Sequence, residues 1–232
     1  MEKMLEPQQV FARNILLWGE EKQRRLAASC VLVAGMGGLG STVSEILVRA
    51  GVGTLILLDN DVIDAPDLNR QIQYTQHDLG KAKVEVAFHK LSDIHGCTTI
   101  IPLQQRLEDH PEQRQAFRQY KVHGIADCFD SFASRLILER YLEENMFLVH
   151  GGVQSEYGQV TTMIPRQTPL FSELYARLED SGSALPVCPQ SATCIASLMA
   201  HEIINNLWGT PKLANTLLLI DLTDFSLSKI QL

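Results

Sequence analysis

Short unbroken apolar runs alternate along this chain with stretches in which apolar side chains recur at helical spacing. Cys30-Val-Leu-Val-Ala34 is such a run and ends on glycines, as a strand covered on both faces should. Val43, Ile46, Leu47 and Ala50 predict a helix over 41–50, and Thr54 to Leu58 a second strand ending at Asp59. Next come a helix over 80–94 (Val84, Ala87, Phe88, Leu91), a strand from Thr98 to Leu103 and a polar helix over 109–120. Val122 to Ala126 predicts another strand, ending at Asp127, and a helix over 132–145 leads into a strand from Phe147 to His150. Ahead of all these, residues 8–28 predict two short helices around Gly19. Strand and helix in strict alternation describe an α/β chain whose mostly parallel sheet carries helices on both faces.

Past residue 150 the rhythm changes. Gln159 to Ile164 predicts a strand, 166–190 a long irregular segment rich in Pro and Ser, and 191–208 a mostly apolar helix (Ala192, Ile195, Ala196, Met199, Ile203). Two strands close the chain, Thr216 to Leu222 and Phe225 to Leu232, parted by Thr223-Asp224. The expectation is one domain over 1–232: N-terminal helices in 1–28, a ligand-binding part in 29–150 and a C-terminal antiparallel extension in 151–232. An irregular stretch of about 20 residues inside a compact domain is usually functional or mobile.

Composition narrows the class of ligand. With 20 Lys plus Arg against 27 Asp plus Glu among 232 residues, the net charge is −7, and no basic run exists to neutralise a nucleic acid or an anionic membrane. No stretch approaches the roughly 18 apolar residues of a membrane span. Met1 to Gln9 is polar and unlike a signal peptide, so a cytoplasmic location is expected. The five cysteines (Cys30, Cys97, Cys128, Cys188, Cys194) include no CxxC pair, which fits neither a disulfide framework nor a thiolate zinc site.

Chemistry enters at Gly35-Met36-Gly37-Gly38-Leu39-Gly40, between a predicted strand and a predicted helix. Glycines at Gly35, Gly37, Gly38 and Gly40 let the backbone turn and approach a polyphosphate, whose charge then sits on a helix N-terminus in the Rossmann-like manner. Asp59 ends the next strand and is placed to accept from a ribose. A nicotinamide enzyme is one reading, but no His or Tyr-Lys set announces a hydride-transfer pocket. Beyond Asp59 the chain carries a polar group instead: Asn69-Arg70-Gln71, Lys81 and Lys83, then Asp127 and Asp130. Taken singly, Arg70 and Lys83 belong to a solvated face. Gathered at strand ends beside a phosphate loop, they suit phosphoryl or nucleotidyl transfer, in which cations stabilise phosphate charge and a carboxylate holds Mg²⁺.

These residues together resemble the ubiquitin-activating-type adenylyltransferases of bacteria, the MoeB/ThiF/HesA group. The resemblance rests on the strand and glycine loop, Ala50-Gly51-Val52-Gly53, Leu68-Asn69-Arg70-Gln71, Gly80-Lys81-Ala82-Lys83-Val84-Glu85, Asp127-Cys128-Phe129-Asp130-Ser131 and Gly158-Gln159-Val160. It runs from about Phe11 to the C-terminus and is weakest over 165–190. It implies an enzyme that uses ATP·Mg²⁺ to adenylate the C-terminal Gly-Gly carboxylate of a small ubiquitin-like sulfur-carrier protein, a separate enzyme then donating sulfur. Mapped by motif, Gly37 and Gly40 lie against the phosphates, with Gly35 and Gly38 in the same loop. Asp59 binds the ribose, and Asp61 and Asn69 are counted among the cofactor-binding residues. Arg70, Gln71 and Lys83 hold the triphosphate, and Asp130, with Asp127 near, serves the α-phosphate and Mg²⁺. Arg13 matches the arginine that reaches into a neighbouring subunit's site, which implies a homodimer.

Three departures stand out. Asp67 occupies a position where the family pattern has Asn, and Val10 that of a second N-terminal Arg. The paired CxxC motifs of the zinc-holding members are absent, the middle site reading Leu170-Phe171-Ser172-Glu173, so no zinc is expected. Cys188, in Leu185-Pro186-Val187-Cys188-Pro189, stands near a cysteine that related enzymes carry. An unreactive loop thiol is set there against one that becomes acylated or persulfidated. Cys30, Cys128 and Cys194 read as core. His201-Glu202-Ile203-Ile204-Asn205 lacks the second histidine of a zinc-protease helix, and Asp59, Asp61, Asp64 and Asp67 lack the spacing of a calcium loop. The strand at 159–164 and the hairpin at 216–232 are expected to form the carrier groove, with 166–190 closing over its tail. At 232 residues no appended thioester or sulfurtransferase domain is expected. The remaining alternatives are a catalytically altered member that binds nucleotide or partner without chemistry, and a relative that adenylates a small molecule or a tRNA base, the latter disfavoured by the acidic net charge.

Overall fold

A computed structural model describes residues 5–176 and 185–232. After a single turn, α1 (Pro7–Val10), comes α2 (Ala12–Ala27), whose backbone leaves helical geometry at Gly19 (φ 83°, ψ 161°), so two short helices do flank that glycine. The alternation then runs β1 (Cys30–Ala34), α3 (Gly38–Ala50), β2 (Thr54–Leu58), α4 (Lys83–Ser92), β3 (Thr99–Leu103), α5 (Pro111–Phe117), β4 (Gly124–Asp127), α6 (Phe132–Glu139) and β5 (Phe147–Gln154). It closes with β6 (Tyr157–Met163), α7 (Phe171–Leu174), α8 (Pro189–Leu207), β7 (Thr216–Asp221) and β8 (Ser226–Gln231). Eight strands form one sheet in the order β3-β2-β1-β4-β5-β6-β7-β8; the first five are parallel and every pairing from β5 to β8 is antiparallel.

The central strands are apolar throughout because both faces are covered. Val31, Val33, Leu55 and Leu57 pack with α3, α4 and α8, while Cys30, Leu32, Ile56 and Leu58 point the other way, toward Phe117, Leu138 and Tyr141. Two layers of helix on one sheet leave a crevice at the carboxyl ends of β1, β2 and β4, where the order reverses between β1 and β4. No helix among the described residues is long and apolar enough to cross a membrane.

Two boundaries differ most from the sequence reading. The helix expected over 132–145 ends at Glu139, because Tyr141 turns inward onto Phe117 (ring centroids 5.4 Å) and donates its hydroxyl to Glu108 O at 2.7 Å. The strand expected to stop at His150 runs on to Gln154, since Gly151 to Gln154 pair with β6 across a tight turn at Ser155 (φ 54°). The irregular segment expected over 166–190 holds the short α7, and its residues 177–184 lie outside the described residues.

Candidate active site

The loop between β1 and α3 is built by contacts only glycine permits. Gly35 takes φ 94° and donates its N–H to Leu58 O at 2.8 Å, turning the chain directly off the strand. A Cβ on Gly40 would fall inside the carbonyl oxygen of Gly35, so the first turn of α3 lies flat on the loop. Gly40→Ala must push that backbone apart. We expect a loss of about 2–3 kcal/mol by denaturant melting, together with weakened nucleotide binding.

Asp59, at the end of β2, fastens this loop. Its Oδ2 accepts from Met36 N at 2.6 Å and its Oδ1 from Asp61 N at 2.8 Å. Burial pushes the Asp59 carboxyl up, against the two backbone N–H bonds and the Lys83 charge that pull it down. Tyr74 closes the floor, donating to Met36 O at 2.8 Å.

The polar groups arrive on a 3-10 turn, Ala65–Asn69, and on the first residue of α4. Arg70 Nη1 donates to Pro66 O (3.0 Å) and Asn69 Oδ1 (2.9 Å), and Gly38 lies against its Cγ. Gln71 is buried beside Gly37; its Nε2 donates to Asp67 Oδ1 at 2.7 Å, and its Oε1 has no partner among the described residues. Lys83 is buried, with Nζ 3.4 Å from Asp67 Oδ2 and 3.5 Å from Asp61 Oδ2. Thus the glycine loop, Asp59, Asp61, Asn69, Arg70, Gln71 and Lys83 share one crevice.

Three expected residues stand apart from that group. Asp130 is exposed on the loop after β4, whose Cys128 and Phe129 lie against Gly35. Asp127, expected among the nucleotide ligands, is 1% exposed and engaged inside the protein. Its Oδ2 accepts from His150 Nδ1 at 2.7 Å and lies 3.5 Å from Arg135 Nε, and its Oδ1 accepts from Phe129 N at 3.2 Å. Arg13 is exposed and far from the crevice of its own chain. The adjacent Asn14 donates to Arg49 O at the other end of α3, about 20 Å of helix from the glycine loop.

The network around Asp127 escaped the sequence reading. Facing a carboxylate, His150 carries its proton on Nδ1, and burial pushes its imidazole below the ordinary value while Asp127 opposes the shift. Gln159 Nε2 then donates to His150 Nε2 (3.1 Å) and to the Tyr175 hydroxyl (2.6 Å), and Phe171 and Tyr175 cover the ring. The available signal was the register: Asp127 and His150 end the apolar parts of neighbouring parallel strands and are direct partners.

Cys188 precedes α8 as its N-cap residue, its Sγ 3.5 Å from Ser155 O and 3.1 Å from Ser191 Oγ. Asn69 Nδ2 reaches Val187 O at 3.3 Å, tying that segment to the crevice. Cys30 and Cys128 are buried thiols pushed up by burial, Cys30 to about 11, whereas Cys194 is half-buried rather than core. Among the described residues no group of three or more His, Cys, Asp or Glu could hold a metal ion.

The fold and this crevice define an α/β protein of the doubly wound kind, with an enclosed lysine and an arginine beside a glycine loop at the carboxyl ends of its strands. The chain belongs to the ThiF family, whose sequence pattern matches residues 11–232. It is 31% identical over 225 residues to the "Sulfur carrier protein adenylyltransferase" of Thermus thermophilus, covering 91% of this chain and 82% of that one. It is 29% identical over 205 residues to the "SAMP-activating enzyme E1" of Haloferax volcanii, covering 84% and 74%. With the "Probable molybdopterin-synthase adenylyltransferase" of Porphyra purpurea it shares 31% over 196 residues, 82% of this chain but only half of that one's length. The solved structures of E. coli MccB with ATP (TM-score 0.79, 20% identity, 96% of this chain and 71% of that) and of PaaA (0.82, 20%, 100% and 76%) share the fold.

Proposed function

We propose that this chain is an ATP-dependent adenylyltransferase that activates the C-terminal Gly-Gly carboxylate of a small ubiquitin-like sulfur-carrier protein. The observation that carries this reading is the convergence of Lys83, Arg70 and Gln71 beside the glycine loop. A carboxylate is repelled by a triphosphate, so attack on the α-phosphorus needs that charge neutralised first. In the step itself, a carrier carboxylate oxygen bonds to the α-phosphorus while the bond to the β-phosphate oxygen breaks. Pyrophosphate leaves, the acyl-adenylate remains, and no proton moves. Arg70 and Lys83 serve the developing phosphate charge, the glycine loop and N-terminus of α3 cradle the phosphates, and Asp59 takes the ribose.

Asp130 is a single exposed oxygen donor on a loop beside Gly35, which suits Mg²⁺, an ion that keeps most of its water and takes one or two carboxylates plus phosphate. Bound there with ATP, magnesium would supply further neutralisation of the phosphates. We read Arg13 as completing the site of a second copy: it is exposed beside Leu16 (87%) and Leu17 (79%), an apolar face suited to a homodimer contact. β6 and the hairpin of β7 with the exposed β8 offer the groove for the carrier, and a separate enzyme donates sulfur to the adenylate. The setting is cytoplasmic sulfur chemistry of the thiamine or molybdenum and tungsten cofactor kind, with neither nucleic acid nor membrane as partner. Cys188 is left as a loop thiol, its Sγ turned onto Ser155 and Ser191.

Carrier-dependent ATP–pyrophosphate exchange tests the reading. We expect radiolabelled pyrophosphate to enter ATP only when a Gly-Gly-tailed carrier of the thiamine or molybdopterin type is present. Tight ATP binding with no exchange for any such carrier would reduce the chain to a binding subunit.

A further inference from the structure

One carboxylate sits where the phosphate-seeking groups of the crevice converge. Asp67 Oδ1 accepts from Gln71 Nε2 at 2.7 Å and lies 3.7 Å from Arg70 Nη2. Its Oδ2 lies 3.4 Å from Lys83 Nζ and accepts from Asp64 N at 3.1 Å. Lys83 and Asp67 are enclosed, their side chains 8% and 13% exposed, whereas Asp61, the other carboxylate on Lys83, is 63% exposed and screened by water. An anionic oxygen ringed by an ammonium, a guanidinium and an amide has the surroundings that a phosphate oxygen would have. Asp67 therefore holds the cations in place and occupies them.

We propose that Asp67 is a built-in counter-ion for Lys83 and Arg70, which an incoming triphosphate must displace or see neutralised, and that it makes the site select metal-complexed nucleotide over free nucleotide. The inference rests on the nucleotide reading of the crevice. Binding here is an exchange of anions: phosphate oxygens take over the donors Asp67 held, and its charge is left facing theirs. Free ATP meets that repulsion in full. A divalent cation carried in with the phosphates lowers their charge and screens the carboxylate, so the complexed form loses less.

Calorimetric titration with ATP in EDTA and with ATP·Mg²⁺ tests this on the wild-type chain, on Asp67→Asn and on Asp67→Ala. Asparagine keeps the size and one acceptor for the turn at Asp64; alanine removes both, so thermal melting separates a capping role from a charge role. Both variants are expected to bind metal-free ATP about tenfold or more tighter and ATP·Mg²⁺ by a smaller factor, which shrinks the preference for the complexed form. An unchanged preference, equal tightening of both forms, or weaker binding of both would overturn the counter-ion role. Failure of all three chains to bind either form would sink the nucleotide reading and this inference with it, whereas ATP binding with an unchanged preference sinks this inference alone.

Discussion

Lys83→Met is expected to lower carrier-dependent ATP–pyrophosphate exchange about a hundred- to a thousandfold while the chain still folds. Lys83 opens α4, its backbone N–H donating to Asp61 O at 3.0 Å, so its place is set by main chain and survives the substitution. Its side chain is enclosed against Asp67, where water screens it little, with the exposed Asp61 on its other side. A preorganised cation in such a site stabilises charge that develops on phosphate without reorganising, and losing one such group typically costs about 3–4 kcal/mol of transition-state stabilisation. Methionine matches the length of the lysine stem and keeps the packing. The substitution removes the charge that balances Asp67, leaving that carboxylate with Arg70 at 3.7 Å and the Gln71 amide. Lys81→Met is the control: this lysine is exposed and pairs with Asp78 at 3.4 Å, and exchange should stay within about twofold, as for a surface pair. Exchange by Lys83→Met within threefold of the wild-type rate would remove Lys83 from the reaction.

How legible these sites were in the sequence depended on the range of the contacts that make them. β1 and β2 match the predicted Cys30–Ala34 and Thr54–Leu58 because burial on both faces writes an unbroken apolar run, a purely local signal. The glycine loop was legible for the same reason, since strand, glycines and helix are contiguous. The second half of β5 was not: Gly151 and Gly152 look like an end to the apolar run and become strand only through β6. Asp67 could be flagged as unusual in its position but not assigned, because the 3-10 turn that brings it to Gln71, Arg70 and Lys83 has no hydrophobic period. The link from Asp127 through His150 and Gln159 to Tyr175 joins four separate elements, so a reading of Asp127 as the end of a strand carries no sign of it. Ends of parallel strands do converge on ligands, but only for side chains that point out of the sheet.

Asp127→Ala discriminates between those two roles. If Asp127 serves the fold, the substitution strands two buried partners at once: Arg135, whose Nη2 stays bonded to Phe129 O at 2.6 Å, and His150, whose Nδ1 proton loses its acceptor. Removing one partner from a buried ion pair costs about 3–5 kcal/mol, chiefly because the surviving charge is left without compensation. For a chain of this size that corresponds to a fall of about 6–20 °C in the melting temperature. The loss should be partly recovered in the double variant Asp127→Ala/Arg135→Met, which removes the stranded charge but also the bonds of Arg135 to Phe129 O and Gly151 O. ATP affinity, measured well below the melting transition, should change by less than about threefold, since Asp127 has no exposed oxygen to offer a ligand. A ligand role predicts the reverse: little change in melting, a large drop in affinity, and no rescue by Arg135→Met. The aspartate three residues on, exposed Asp130, is then the one of the two whose alanine variant should lose magnesium-dependent binding, because of this pair it alone is open to solvent.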